Sequence, residues 1–227
     1  MSPRPVSVVL VSSGLDSAVL HAHEATQYDV RPVYVRSGLA WEAAELRMLA
    51  RLISSPALAG ARPLTVLDLP MRDVYPANHW AITGTPPVYD TPDTDVYLVG
   101  RNLTLLAKAG IVAARADARR IVLGPLAGNQ FPDATPAFFT AMAEALSRGL
   151  AHALTVVAPF AALQKAQVIE LGARLGVPFE LTLSCMNPVD DRHCGRCSKC
   201  RERRDGFTEA GVFDPTPYAQ ASPRQAG

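Results

Sequence analysis

The feature of this sequence that most constrains its fold is a regular alternation of short β-branched runs with segments of helical spacing. The runs that suit buried strands cover residues 7–11, 31–35, 64–69, 120–124 and 154–157, and the helical segments cover residues 16–26, 41–53, 102–116, 136–148 and 163–175. Five successive strand–helix units predict an α/β fold, with right-handed crossovers and a five-stranded parallel sheet covered by helices on both faces. In such a sheet, ligands bind beyond the carboxyl ends of the strands.

Two segments depart from this alternation and set the predicted domain organisation. Residues 70–98 contain five prolines and no hydrophobic period, which predicts an irregular, lid-like insertion over the surface. Gly176 and Pro178 end the last helix of the alternating pattern. We therefore expect residues 1–178 to form the sheet domain, residues 179–218 a small metal-binding appendage, and residues 219–227 a disordered tail.

The charge balance excludes some classes of partner. The 227 residues include 22 Lys and Arg against 21 Asp and Glu, a net charge of +1. A protein that binds nucleic acid without sequence preference needs a broad basic surface, so no direct nucleic-acid partner is expected. No apolar run is long enough to cross a membrane and the N-terminal segment does not resemble a signal peptide, so we predict a cytoplasmic protein without a membrane partner.

All the cysteines lie close together near the C-terminus. Cys185, Cys194, Cys197 and Cys200 fall within sixteen residues, whereas a disulfide framework would be scattered. This spacing suits a closed, tetrahedral structural zinc site, in which Gly195 lets backbone amides point at sulfur. A redox Cys-x-x-Cys pair would leave two cysteines idle. An iron–sulfur cluster could use the same ligands, and His193 could replace one cysteine.

The loop after the first strand is a second candidate site. Residues 12–17 read Ser-Ser-Gly-Leu-Asp-Ser, and they place backbone N–H groups and hydroxyls at the start of a helix, where an anion binds well. Asp16 would repel a bare phosphate, which indicates a phosphate held together with a cation such as Mg²⁺. An ordinary capped turn uses the same residue types and remains the alternative. The loop lacks the lysine of a Walker motif and the three glycines of a dinucleotide turn.

This loop resembles the pyrophosphate-binding loop, Ser-Gly-Gly-x-Asp-Ser, of the N-type ATP pyrophosphatases (the PP-loop superfamily). With the cysteine knuckle, nearly the whole chain resembles the 7-cyano-7-deazaguanine synthase (QueC-like) family within it. The matching segments are Gly-Arg-Asn-Leu at 100–103, Phe-Pro-Asp at 131–133, Ala-Pro-Phe at 158–160 with Lys165, Leu-Thr-Leu-Ser-Cys at 181–185, and residues 210–215. The resemblance implies an adenine nucleotide alpha hydrolase-like, Rossmann-like fold.

The resemblance also implies an activity. Members of the family are ATP-dependent carbon–nitrogen ligases of queuosine and deazapurine biosynthesis, which adenylate 7-carboxy-7-deazaguanine and use ammonia to form an amide and then a nitrile, releasing AMP and pyrophosphate. The implied cofactors are ATP, Mg²⁺ and Zn²⁺, and the implied assembly is a homodimer. Two rival readings are a related adenylating enzyme that acts on another carboxylate or on tRNA, and a non-catalytic nucleotide- or zinc-binding module.

The family motifs assign roles to particular residues. Those expected to bind the nucleotide are Leu10, Val11, Ser12, Ser13, Gly14, Leu15, Asp16, Ser17, Ala18, Val19, Leu20 and Gly124. Those expected to act in catalysis are Asp16, Ser17, Lys165 and Arg101, and those expected to contact the substrate are Arg101, Asn102, Phe131 and Asp133. The alternatives are a surface salt bridge for Arg101, an exposed position for Lys165, and a cap on the following helix for Asp133.

Three departures from the family pattern mark where this chain differs. Ser13 replaces a glycine, at a cost of about 1 kcal/mol if the backbone there is left-handed. Ala134 and Thr135 replace a Cys-Arg pair, and residues 36–41 replace a Tyr-Gly-Gln-Arg-His run. The last two fall on loops expected to face the substrate. We therefore expect the ATP chemistry to be retained and the substrate pocket to be rebuilt.

Overall fold

The computed structural model describes residues 4–223, which form an α/β fold around one parallel sheet. Its strands are β1 (Val6–Leu10), β2 (Asp29–Arg36), β3 (Thr65–Asp68), β4 (Arg120–Val122) and β5 (Thr155–Val157). They lie in the order β3-β2-β1-β4-β5, and all four pairings are parallel. The order reverses direction beside β1, which creates a crevice between the loops that follow β1 and β4.

The helices connect the strands as the hydrophobic pattern predicts. They are α1 (Leu15–Ala25), α2 (Glu42–Ile53), α3 (Trp80–Thr83), α4 (Arg101–Arg115), α5 (Pro136–Leu150), α6 (Lys165–Arg174) and α7 (Ser198–Ala210). The five predicted strand–helix units are confirmed, whereas α3 and α7 were not predicted from the sequence. Within residues 4–223, the helices are all too short or too polar to cross a membrane.

The central strand β1 is buried on both faces, which is why its sequence is a continuous apolar run. Val9 packs with Leu20 and Ile169 in the core on one side of the sheet. Val8 packs with Leu106 and Phe139 in the core on the other side. Helices therefore cover both faces of the sheet, as predicted, because each face of a parallel sheet needs an apolar partner.

Residues 70–98 are mostly irregular but firmly packed. Their only regular pieces in the described chain are α3 and a single 3₁₀ turn at Asp93–Val96. Tyr75, Ala81 and Leu98 form a small buried cluster with Leu39 of the loop after β2. The segment also contacts the cysteine knuckle, where the Ser198 N–H donates to the carbonyl of Pro87 at 3.4 Å. The insertion thus forms a fixed wall beside the sheet.

The C-terminal segment packs against the sheet domain and shares its core. Phe179 and Phe207 belong to the same core as Ile169, with their rings edge-to-face at 5.2 Å. The sequence predicts a disordered tail from residue 219, but the Ala219 N–H donates to the His193 carbonyl at 2.7 Å and Ser222 is only 4% exposed. The first part of that tail is therefore ordered against the cysteine segment, and residues 224–227 lie outside the described residues.

Candidate functional site

A cavity of about 380 Å³ lies at the carboxyl ends of β1, β2 and β4, where the sheet topology places a ligand. Its walls also include the insertion and the first turns of α1, α4, α6 and α7. Most of the site residues predicted from the sequence line this cavity. They are Leu10, Val11, Ser12, Gly14, Leu15, Asp16, Ser17, Arg101, Asn102, Gly124, Phe131, Asp133 and Lys165.

Four residues predicted to bind the nucleotide do not line the cavity. Ala18, Val19 and Leu20 lie on the buried face of α1, in the core. Ser13 is fully buried, and its hydroxyl donates to the carbonyl of Leu183 at 3.3 Å. The side chains of these four residues pack in the interior and do not face the cavity. Their predicted contact with the nucleotide is therefore corrected to a role in packing the loop and α1.

The loop after β1 is shaped by its own hydroxyl groups. Ser17 Oγ donates to the carbonyl of Ser12 at 2.8 Å and accepts from the Ser12 N–H at 3.0 Å. Gly14 is the N-cap of α1 and provides no side-chain cap, so the alternative of an ordinary capped turn is not observed. Ser13 is absent from the described residues with positive φ, so the strain expected from replacing glycine there does not arise.

Lys165, at the first position of α6, is paired with two carboxylates at the edge of the cavity. Its Nζ lies 2.6 Å from Asp16 Oδ2 and 2.6 Å from Glu202 Oε1, and its side chain is only 17% exposed. Glu202 in turn pairs with Lys199 at 2.5 Å. Burial alone would lower the pKa of Lys165, but the charges of Asp16 and Glu202 outweigh it and raise that pKa above its ordinary value. The ammonium group is therefore held charged, and the alternative of an exposed lysine is wrong.

The same ion network includes two residues that sequence reasoning did not assign to this site. Glu202 and Lys199 both lie on α7, which starts at the cysteine knuckle, and both line the cavity. Burial opposes ionisation of Glu202, but the charges of Lys165 and Lys199 prevail and lower its pKa below its ordinary value. No motif marked these residues in the sequence, because α7 itself was not predicted.

Arg101 opens α4 and contributes a cation to the cavity wall. Among residues 4–223 it has no carboxylate within 4.0 Å, so the alternative of a surface salt bridge is not observed. Asp133 Oδ2 accepts a hydrogen bond from the Asn102 N–H at 2.8 Å, and Asn102 Nδ2 donates to the Asp133 carbonyl at 3.0 Å. Asp133 therefore caps α4. The following helix, α5, is capped instead by Thr135, whose Oγ1 accepts the Phe138 N–H at 3.2 Å.

Two stacked aromatic pairs form the apolar walls of the cavity. Trp41 and Trp80 lie 5.7 Å apart between ring centroids, and Tyr97 and Phe131 lie 4.8 Å apart. All four residues line the cavity, but only Phe131 was predicted as a site residue. Trp41 is also the one cavity-lining member of the altered stretch 36–41 within the described chain. Flat, apolar walls of this kind suit a planar ring.

A buried carboxylate that the sequence did not single out lies on the wall next to β2. Glu45 of α2 is 6% exposed, and its Oε2 accepts a hydrogen bond from Tyr34 Oη at 2.5 Å. Burial is the largest influence on Glu45 and raises its pKa above the ordinary value. Its neighbour Glu42 has a structural role, since its carboxylate accepts the N–H groups of Ser37 and Gly38 and so fixes the loop after β2.

The four cysteine sulfurs converge as a metal site requires. All lie within 4.8 Å of one another, and the closest pairs are Cys185–Cys197 at 3.9 Å, Cys194–Cys200 at 3.8 Å and Cys197–Cys200 at 3.6 Å. A disulfide would need sulfurs about 2 Å apart. A tetrahedral ion with metal–sulfur bonds of about 2.3 Å would place its ligands about 3.8 Å apart. The donor set and its geometry therefore fit a single four-coordinate ion.

Backbone amides surround the sulfurs and stabilise thiolates. The N–H groups of Cys194 and Gly195 donate to Cys185 Sγ at 3.3 Å and Cys200 Sγ at 3.4 Å, respectively. His193 does not belong to the cluster, because its Nε2 accepts the Ser184 N–H at 3.1 Å. The alternative in which His193 replaces a cysteine is therefore wrong, and the residues present would hold a metal ion through sulfur alone.

Comparison with known proteins finds matches over nearly the whole chain. A family model described as "Queuosine biosynthesis protein QueC" matches residues 6–211. A 7-cyano-7-deazaguanine synthase of Anaeromyxobacter dehalogenans is 36% identical over 94% of this chain and 96% of its own length. Synthases with the same name from Methanopyrus kandleri and Azoarcus sp. are 34% and 35% identical, over 94% and 96% of this chain and 99% of each relative.

Proposed function

The chain belongs to the family of queuosine biosynthesis protein QueC, and from that premise we propose that it is a 7-cyano-7-deazaguanine synthase. It would convert 7-carboxy-7-deazaguanine, with ATP and ammonia, into the nitrile. The observation that carries the proposal is the cavity in which the loop of residues 12–17, Lys165 and Arg101 meet. The anion-binding loop with Lys165 would hold the phosphates, and Arg101 would hold the acid in the same cavity.

The loop and the ion network would hold the triphosphate. The uncapped start of α1 and the N–H groups of the loop favour phosphate oxygens, and Lys165 would neutralise the departing pyrophosphate. The Asp16 carboxylate and the loop hydroxyls are the oxygen donors that Mg²⁺ prefers, and a bound Mg²⁺ would supply charge neutralisation between the phosphates. Asp16 could move from Lys165 to the ion because Glu202 keeps Lys165 paired.

The rest of the cavity would hold the acid. Arg101, without a carboxylate partner of its own, suits the substrate carboxylate, and the aromatic pairs suit a flat heterocycle. A carboxylate oxygen attacks the α-phosphorus and the bond to pyrophosphate breaks. Ammonia then attacks the acyl carbon, AMP leaves and an amide forms. A second adenylation on the amide oxygen, followed by loss of AMP and protons, leaves the nitrile.

The cysteine site would hold one structural Zn²⁺. All four thiolates are needed for the tetrahedron, so no coordination position remains open for a substrate. Zinc supplies no reaction step here but fixes the start of α7, because Cys197 is the N-cap of that helix and Cys200 lies in its first turn. The helix in turn carries Lys199 and Glu202 to the cavity. The family resemblance also predicts a homodimer, which light scattering of the purified protein tests.

A related adenylating enzyme with a different acid is the second candidate. The observation that favours it is Trp41, which belongs to the altered stretch 36–41 and lines the cavity stacked on Trp80. The replacement at Thr135 does not favour it, because that side chain caps α5 and does not line the cavity. Of the two altered segments expected to face the substrate, only residues 36–41 therefore contribute to the cavity wall.

One assay separates these readings. Purified protein is incubated with 7-carboxy-7-deazaguanine, ATP, Mg²⁺ and ammonium, and the products are identified by mass spectrometry. The proposal expects nitrile, with AMP and pyrophosphate formed only when the acid is present. Acid-independent release of ADP and phosphate would contradict the pyrophosphatase chemistry. No turnover with this acid, but turnover with another carboxylate, would favour the second candidate, and no ATP turnover with any acid would favour a non-catalytic module.

A further inference from the structure

The cavity contains one carboxylate that has neither a close ion-pair partner nor a backbone donor among residues 4–223. The acidic residues that line it are Asp16, Glu45, Asp133 and Glu202. Asp16 and Glu202 are both paired with Lys165. Asp133 caps α4 through the Asn102 N–H. Glu45 alone among these four has neither a cation within 4.0 Å nor a backbone N–H donor among residues 4–223, although it lies in the first turn of α2 and Arg101 acts on it at longer range.

The surroundings of Glu45 make the lack of a nearby cation costly. A carboxylate that is 6% exposed loses most of its hydration, and an unpaired buried charge is strongly unfavourable. The charged and titratable groups that face it are Tyr34 on β2, Glu42 on its own helix and Arg101 on α4, with the hydroxyl of Ser12 from the loop. Tyr34 donates to Oε2, and no hydrogen bond to Oε1 is found among residues 4–223. Oε1 therefore has no donor within 3.5 Å in that part of the chain, although the Ser12 hydroxyl also acts on this carboxylate.

A small cation matches this opening better than a ring does. Recognition of a guanine-like edge by a carboxylate uses both oxygens side by side, but Oε2 already accepts the hydroxyl of Tyr34. Little of the side chain is reachable, which also excludes a bulky group. Ammonium is small and carries four N–H donors. It therefore suits a part of the cavity wall where the oxygens of Glu45, Tyr34 and Ser12 lie together.

The structure assigns to Glu45 the role of the base that binds ammonium and accepts its proton, an inference that rests on the proposed synthase function. One proton passes from ammonium to Glu45, leaving ammonia with a free electron pair. That pair forms the carbon–nitrogen bond to the adenylated carboxylate, the bond from the acyl carbon to the AMP oxygen breaks, and AMP leaves with its electrons. A second proton is lost from nitrogen to water as the amide forms, and Glu45 later returns its proton to water.

The position of Glu45 suits this chemistry in two ways. Its neighbour Ser12 belongs to the loop that would hold the phosphates, so ammonia released here starts beside the reacting carbon. Burial raises the pKa of Glu45 toward that of ammonium, which lowers the cost of the proton transfer. Tyr34 acts as a positioning residue, since its hydrogen bond fixes the carboxyl orientation.

The test compares two nucleophiles in the full-length, zinc-loaded protein. Ammonia must be produced from ammonium at neutral pH, whereas hydroxylamine is largely uncharged there and attacks adenylates directly. Glu45→Gln is expected to lower kcat/KM for ammonium by at least about 100-fold. It should leave acid-dependent hydroxamate formation and pyrophosphate exchange within about twofold of the wild type. The lost rate should recover as the pH rises toward the pKa of ammonium. Glu170→Gln, an exposed position on α6, serves as the matched control.

The outcomes distinguish this inference from the proposed function. An unchanged kcat/KM for ammonium in Glu45→Gln overturns the role of Glu45. Equal loss of hydroxamate and amide formation also overturns it, because Glu45 would then bind ATP or the acid. If the wild type makes no acid-dependent hydroxamate, the proposed function fails and the inference falls with it.

A second variant covers the case in which Glu45→Gln does not fold. Tyr34→Phe removes the hydrogen bond that lowers the pKa of Glu45. The acidic limb of the ammonium-dependent pH profile should then move to higher pH, with hydroxamate formation unchanged. A pH profile that does not move contradicts the proposal.

Discussion

Lys165 and Asp16 are 149 residues apart in the sequence, yet Lys165 Nζ lies 2.6 Å from Asp16 Oδ2. The contact joins the first turn of α6 to the first turn of α1, and Glu202 adds the first part of α7 from the other side of the same ammonium group. The starts of three helices therefore meet at one edge of the cavity. Their partial positive charges reinforce the attraction of this edge for phosphate.

The Asp16 carboxylate should be essential for catalysis but not for folding. In Asp16→Asn, Lys165 keeps its pair with Glu202, so no buried charge is left without a partner. Substrate-dependent AMP formation is expected to fall by at least about 100-fold, as when one preorganised charged group is removed from an active site. Rates are followed by AMP release, and thermal melting checks the fold. Asp205→Asn, which does not touch the cavity, should retain normal turnover. Normal turnover of Asp16→Asn would contradict the role of the loop.

Arg101 should bind the acid without contributing much to stability. It has no carboxylate within 4.0 Å among residues 4–223, so Arg101→Gln breaks no close ion pair, and its longer-range effect falls on Glu45. Loss of a charged hydrogen bond to the substrate is worth about 1.5 to 3 kcal/mol, which raises KM for the acid by roughly 10- to 150-fold. Arg115→Gln, at the exposed end of the same helix, is the matched control. An unchanged KM for the acid in Arg101→Gln would assign the carboxylate to another residue.

The metal site should hold one zinc per chain and stabilise the protein. Cys197→Ser removes one of four thiolates and the N-cap of α7, so both the metal and the helix start are lost. The loss is expected to cost roughly 4 kcal/mol, the stabilisation given by a ligand at about 1,000 times its dissociation constant. Elemental analysis and chemical unfolding measure both effects. Ser198→Ala is a close control, because the buried Ser198 hydroxyl has no hydrogen-bond partner in the part of the chain that the structure describes. Stoichiometric iron in the wild-type protein would instead assign the four cysteines to an iron–sulfur cluster.

His21 should make the fold sensitive to mild acid. It is buried in α1, its Nε2 has no hydrogen-bond partner among residues 4–223, and burial lowers its pKa from 6.5 to about 4. The unfolded chain then binds a proton between these values while the folded chain does not, so stability is lost as the pH falls from 6.5 toward 4. The free energy of unfolding should drop by about 2 kcal/mol between pH 7 and pH 5 from this group alone.

Urea unfolding of His21→Leu isolates that contribution. The variant cannot take up a proton at this position, so the part of the pH dependence between pH 4 and 6.5 that comes from His21 should disappear. His23→Leu, two residues along the same helix, keeps the buried histidine and should keep the wild-type pH dependence. Equal pH dependence in His21→Leu and the wild type would contradict the assignment.

The sequence by itself determined the sheet, its helical cover and the two motifs that carry the chemistry. Alternating strands and helices are encoded by hydrophobic periods within each segment, and a parallel sheet places its ligands at one edge regardless of the details. The cysteine spacing likewise predicted a shared metal site, because four thiols so close in sequence can all bind one ion. Such features are local, so they are readable without knowing which segments touch.

Only the tertiary structure decided which side chains complete the site and which support it. Glu202 reaches Lys165, and Glu45 reaches the cavity beside Tyr34, through packing between segments far apart in the chain. Asp133 caps a helix that precedes it by about thirty residues, and Ser13 turns away from the cavity to bond Leu183. These outcomes depend on how helices dock on the sheet. No hydrophobic period or motif spacing in the sequence encodes how the helices dock, because the free energy of docking comes from contacts between residues far apart in the chain.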